Sequence, residues 1–199
     1  MNIIIAPDIF GITPSLNKLV KNLSKQAAVA IIDPYHGEEM AFEDEEQAYQ
    51  AFLDEGGLDV YTEQLKVILT YIEQPVVLIG FSAGASALWR LTDKKLGLHA
   101  RHFIGFYPGQ IRYHMDVEPH IPTTLLMPKQ EAHFDLQAVI KQLPASESLC
   151  VTQFDLAHGF MNPASAGYDK QASATIEKLI SDTKLIADPK AFRAKKPSV

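Results

Sequence analysis

The 199-residue chain has 47% hydrophobic and 21% charged residues, with 11 Gly and 12 Pro. That composition excludes collagen-like, low-complexity and disordered classes. One cysteine, Cys150, leaves no intrachain disulfide and no cysteine-based zinc site. A formal net charge of -6 argues against nucleic acid and against an anionic membrane surface as partners, since both demand a clustered basic face.

Strand-like and helix-like runs alternate along the chain. Asn2–Ala6 is a short apolar run closed by Pro7. Its brevity and the lack of a basic segment before it do not fit a secretory signal, so a cytoplasmic protein is expected. Thr13-Pro14 predicts a helix start, with proline at the first helical position, followed by Leu16, Leu19, Val20 and Leu23 at helical spacing. Residues 28–32 read as a buried strand. The acidic stretch 43–53 carries Phe42, Tyr49 and Phe52 around it and stops at Gly56-Gly57. Asp59 is placed to cap a helix with Leu65, Ile68, Leu69 and Ile72 on one face, ended by Pro75.

Val76–Phe81 is apolar throughout, the pattern of a strand inside a parallel sheet. It contains the longest later apolar run, Val76-Val77-Leu78-Ile79, far short of the ~20 residues a membrane helix requires. Residues 83–91 read as a helix rich in small residues. Strands are expected at 101–107, 123–127 and 149–154, and helices at 134–143 and 168–180. This alternation predicts an α/β fold with a mainly parallel central sheet, because parallel strands need crossover helices. A single domain over 1–187 is expected, with 188–199 as a partly ordered basic tail.

Gly80-Phe81-Ser82-Ala83-Gly84 matches G-x-S-x-G, the nucleophile elbow, between an apolar strand and a helix as that motif requires. The turn projects Ser82 above the carboxyl end of the sheet and aims the Ala83 N–H and the helix N-terminus at a reacting oxygen. A serine needs a base. His158, followed by Gly159 just after the last strand, stands in the expected order. His36, His99, His102, His114, His120 and His133 lack that context. His99 and His102 have a loose metal-like spacing but no third ligand, so no metal or other cofactor is expected.

These residues resemble the dienelactone hydrolase family of the α/β-hydrolase superfamily. Asp8–Pro14 (DIFGITP) is similar to that family's acidic residue followed by I-F-G, Gly80–Gly84 to its elbow, and His158-Gly159-Phe160 to its H-G-F; Tyr168-Asp169 before an alanine-rich helix adds to the likeness. The resemblance implies an α/β-hydrolase fold without a separate cap domain, and a second oxyanion donor at the Ile9 N–H. It also implies a triad acid just past strand 123–127. Laid on Pro122–Gln130, the acidic position falls on Glu131, with Asp135 the alternative and Asp116 and Asp155 as outsiders.

Three departures stand out. The founding members use cysteine where this chain has Ser82, glutamate where it has Asp8, and an arginine for the substrate carboxylate where it has Asn162. The expected substrate is therefore a small ester or lactone that is neutral or otherwise different from dienelactone, held near Phe10, Phe81, Tyr107 and Phe160, which are equally placed to be core. Two other functions use the same sequence: acyl transfer to a non-water acceptor, and a non-catalytic binding module on a hydrolase scaffold.

Overall fold

The computed structural model describes residues 1–93 and 99–195. Six strands, β1 (Asn2–Ala6), β2 (Ala28–Ile31), β3 (Val76–Phe81), β4 (His102–Phe106), β5 (Thr123–Met127) and β6 (Leu149–Gln153), form one sheet. Their order is β2-β1-β3-β4-β5-β6 and every pair is parallel.

The helices are α1 (Pro14–Leu23), α2 (Glu45–Asp54), α3 (Gly57–Thr70), α4 (Ala83–Leu91), α5 (Leu136–Gln142), α6 (Lys170–Ile180), α7 (Thr183–Ile186) and α8 (Pro189–Ala194). Alternate strand residues feed two cores, as the period of two demands. Ile4, Leu78, Phe103 and Leu125 pack with α3, α4 and α5 on one face. Ile3, Ile5, Val77, Ile79, Ile104 and Leu126 pack with α1, α6 and α7 on the other.

This division positions the site. After β1 the chain turns onto the α1 face, whereas after β3 it turns onto the α4 face. Adjacent β1 and β3, paired Ala6 to Gly80 at their ends, thus send their following loops in opposite directions. The crevice between such loops is where open α/β sheets bind ligands.

Some sequence expectations shift. The strand expected over 28–32 is an edge strand with alternate residues exposed, not a buried one. Asp59 does not cap α3: the cap is Gly56, and Asp59 in the first turn pairs with Arg90 at 2.7 Å. Leu65 and Leu69 are buried as the spacing requires, but Ile68 is exposed and Tyr61 takes the core position a turn earlier. Of the tail expected over 188–199, residues 196–199 lie outside the described residues. In the described part, Asp188 caps α8, Phe192 is buried against the His102 ring, and Arg193 donates to the carbonyls of Thr123 and Ser148.

Candidate active site

Ser82 sits between β3 and α4 with φ 46 and ψ −107, outside the regions open to an ordinary residue. Such a conformation costs on the order of 1–3 kcal/mol and persists only where the surroundings enforce it. Here they do. A Cβ on Gly80 would lie 2.6 Å from Ala85 Cα, and one on Gly84 would run into the carbonyl oxygens of Ala6 and Pro7. The two motif glycines let α4 press onto the strands, and the serine is pushed out at the turn. Its N–H donates to Phe106 O at 2.9 Å.

The histidine loop follows β6. His158 Nε2 lies 2.9 Å from Ser82 Oγ, and its Nδ1 lies 2.8 Å from Glu131 Oε1. A carboxylate only accepts, so Nδ1 carries the proton and Nε2 of the neutral ring is free to accept from the serine hydroxyl. The Glu131 side chain is 8% exposed and that of His158 29%, so the carboxylate is shielded while the imidazole meets the groove. The Tyr107 ring lies beside the imidazole, centroids 4.9 Å apart. Gly159 takes φ +79, and a Cβ there would strike Ser165 Oγ.

Glu131 reaches the histidine because the two loops are stitched together. Phe154 N–H donates to Met127 O at 3.0 Å and Lys129 N–H to Leu156 O at 2.8 Å. The alternative acid, Asp135, is instead the N-cap of α5, accepting from Ala138 N–H at 3.1 Å.

Ser82, Ala83, Ile9, Glu131 and His158 line a common groove of about 1110 Å³. Ala83 N–H opens α4. Ile9 belongs to the loop after β1, whose shape is held by tyrosines. Tyr35 Oη donates to Ile9 O at 2.5 Å and Tyr61 Oη to Ile32 O at 2.7 Å, with Pro7 O 3.2 Å away. Asp8 is buried, which pushes its carboxyl above the usual range, while the bonds from Asn162 and Phe10 pull it back.

The expected aromatic pocket is not there. Phe10, Phe81, Tyr107 and Phe160 are all buried, and none lines the groove at Ser82. Phe81, Tyr107 and Phe160 pack in the α1/α6 core; Phe81 and Tyr107 also edge a separate cavity of about 30 Å³. The groove walls include residues the sequence reading did not assign to a pocket: Tyr49 from α2, Tyr113, Phe134, Leu156, and Arg112 with its guanidinium 4.2 Å from the Tyr113 ring and 4.5 Å from the Phe134 ring. No local pattern marks them, because they converge from segments far apart in sequence.

His102 is a core residue. Its ring bonds Ile186 O at 2.9 Å and Thr124 Oγ1 at 2.8 Å. No group of three or more metal-ligating side chains occurs among the described residues. Nor is any described helix long and apolar enough to cross a membrane.

A parallel sheet, a strained serine at its carboxyl edge and crossover helices on both faces define an α/β-hydrolase fold. The chain belongs to the dienelactone hydrolase family, whose sequence model matches residues 1–182. It is 28% identical over 174 residues to the uncharacterized protein YczH of Bacillus subtilis (strain 168), covering 84% of each chain. In structure it is similar to dienelactone hydrolase from Anabaena variabilis, with TM-score 0.58 and 17% identity over 91% of this chain and 83% of that one. It is likewise similar to a dienelactone hydrolase-like promiscuous phosphotriesterase from metagenomic libraries, with TM-score 0.60 and 16% identity over 92% and 84%.

Proposed function

We propose that this member of a hydrolase family is a serine esterase acting on small, uncharged carboxylic esters or lactones. The observation that carries the reading is the hydrogen-bonded line Glu131–His158–Ser82 on the wall of an open groove. Ser82 Oγ attacks the ester carbonyl as His158 Nε2 takes its proton. The carbonyl oxygen, now negative, is held by the Ala83 and Ile9 N–H groups. His158 returns the proton to the departing alkoxide, which leaves as an alcohol. Water then repeats the sequence on the acyl-enzyme, giving the acid and restoring the serine. Glu131 holds the imidazole in the required tautomer and offsets its charge when protonated.

The uncharged preference is supported at Asn162. Where the founding members hold an arginine for the substrate carboxylate, this side chain is an amide bonded to Asp8. The test is labelling by a fluorophosphonate together with hydrolysis of p-nitrophenyl esters of increasing acyl length. Wild-type protein labels at Ser82, and Ser82→Ala loses both reactions, with kcat lower by about 10⁶. Residual turnover above a tenth of wild type in Ser82→Ala overturns the reading.

A further inference from the structure

Two of the departures from the family pattern touch each other. Asn162 Nδ2 donates to Asp8 Oδ2 at 2.8 Å, in the interior and across 154 positions of sequence. Each residue also braces its own loop. Asp8 Oδ1 accepts from Phe10 N–H at 3.0 Å, and Asn162 Oδ1 accepts from Ala164 N–H at 3.0 Å. Asp8 precedes the oxyanion donor Ile9 in the loop after β1. Asn162 stands four residues past His158, its N–H bonded to Gly159 O at 2.9 Å.

The two oxyanion donors differ in how they are held. Ala83 N–H is fixed by a helix packed on the sheet, whereas Ile9 N–H belongs to a loop. A donor must be held to within about 0.5 Å of its working position to stabilise a transition state. Tyr35 Oη bonds the Ile9 carbonyl, and Tyr61 Oη, bonded to Ile32 O, lies 3.2 Å from Pro7 O, so both hold the Ile9 loop on the β2 side of the molecule. The bond from Asn162 ties it to the histidine loop on the other side.

Building on the esterase reading, we propose that Asp8 and Asn162 are positioning residues. They form a latch that fixes the Ile9 N–H in register with His158 and Ser82. Neither has to touch the substrate. Both are nearly enclosed, at 7% and 9% exposure.

The bonding pattern permits a swap test. Asp8→Asn alone points an amide N–H₂ at the Asn162 N–H₂, donor against donor. Asn162→Asp alone opposes two carboxylates. The double variant, Asp8→Asn with Asn162→Asp, restores every bond with the central one reversed. The amide introduced at position 8 accepts from Phe10 N–H through its oxygen and donates through its nitrogen to the carboxylate introduced at position 162. That carboxylate in turn accepts from Ala164 N–H. Asn162→Ala supplies a variant that breaks the latch without adding charge.

The measurement is kcat and KM on p-nitrophenyl acetate, with the melting temperature of each variant. Each single variant is expected to lose about 30-fold or more in kcat with KM within about 3-fold, since a small misplacement at the reacting centre costs up to about 10². The swapped double variant recovers kcat to within about 5-fold of wild type. Folded single variants that keep kcat within about 3-fold overturn the latch, as does a folded double variant that recovers nothing. If Asp8→Asn, Asn162→Asp or the double variant fails to fold, the kcat of Asn162→Ala decides by the same threshold. A wild type that neither hydrolyses esters nor takes the fluorophosphonate overturns the esterase reading itself, and the latch with it. A reactive wild type with insensitive variants overturns the latch alone.

Discussion

Glu131 Oε1 lies 2.8 Å from His158 Nδ1, although 27 residues separate the two in sequence. Asp135, four residues further on, directs its carboxylate at the Ala138 N–H instead. The two acids of one loop therefore predict opposite outcomes. Glu131→Gln should lower kcat by up to about 10⁴, because the amide favours the wrong imidazole tautomer. Asp135→Asn should leave kcat within a few-fold and, as asparagine also caps helices well, barely alter stability. Steady-state ester kinetics of both variants check the assignment, and the reverse ranking would move the acid to Asp135.

A second outcome concerns the turn. A methyl group on Gly84 would collide with the carbonyls of Ala6 and Pro7, which are backbone atoms of β1 and the loop after it and have little room to move. Gly84→Ala should cost about 3 kcal/mol or more, at the upper end for overpacking a close contact. Urea denaturation measures it. A loss under about 1 kcal/mol would mean that α4 is free to shift outward.

The third concerns pH. Burial holds the His102 ring neutral and lowers its pKa from 6.5 to about 4. Between these values the unfolded chain binds the proton and the folded one does not, so stability rises with pH. The contribution is complete above about 6.5 and is lost as pH falls to about 4, a change of up to about 3 kcal/mol. His102→Gln removes that titration. Its stability deficit relative to wild type should shrink between pH 7 and pH 4 in paired denaturation curves. A deficit that stays constant over this range would contradict the assignment.

The elbow was legible from sequence because its requirements are local. Gly80 answers a steric demand between β3 and the helix α4 that directly follows it, while Gly84 also admits the approach of α4 to Ala6 and Pro7. The bounds of Val76–Phe81 and Ala83–Leu91 follow from an apolar run and a mostly small, apolar one. His158, which the fold brings to 2.9 Å from Ser82, was singled out by its order and its glycine neighbour. The resemblance of the I-F-G and H-G-F segments carried the family, in which the chain is placed by its match over residues 1–182.

Other features were decided only when the chain closed on itself. Whether Ala28–Ile31 is buried depends on which strands flank it, and as the edge it has one neighbour. Phe81 adjoins the serine turn in sequence, and Tyr107 follows Phe106, whose carbonyl accepts from Ser82 N–H. The strand period nevertheless sends Phe81 toward α1 and α6, so Phe81, Tyr107 and Phe160 became core rather than a wall of the groove. The preference for Glu131 over Asp135 rests on hydrogen bonds between two loops after different strands. The Asp8–Asn162 bond joins residues 154 positions apart. Sequence records local sterics and periodicity, which set the elements and the serine turn. The partners that meet across loops are chosen by strand order and register, and these exist only in the folded sheet.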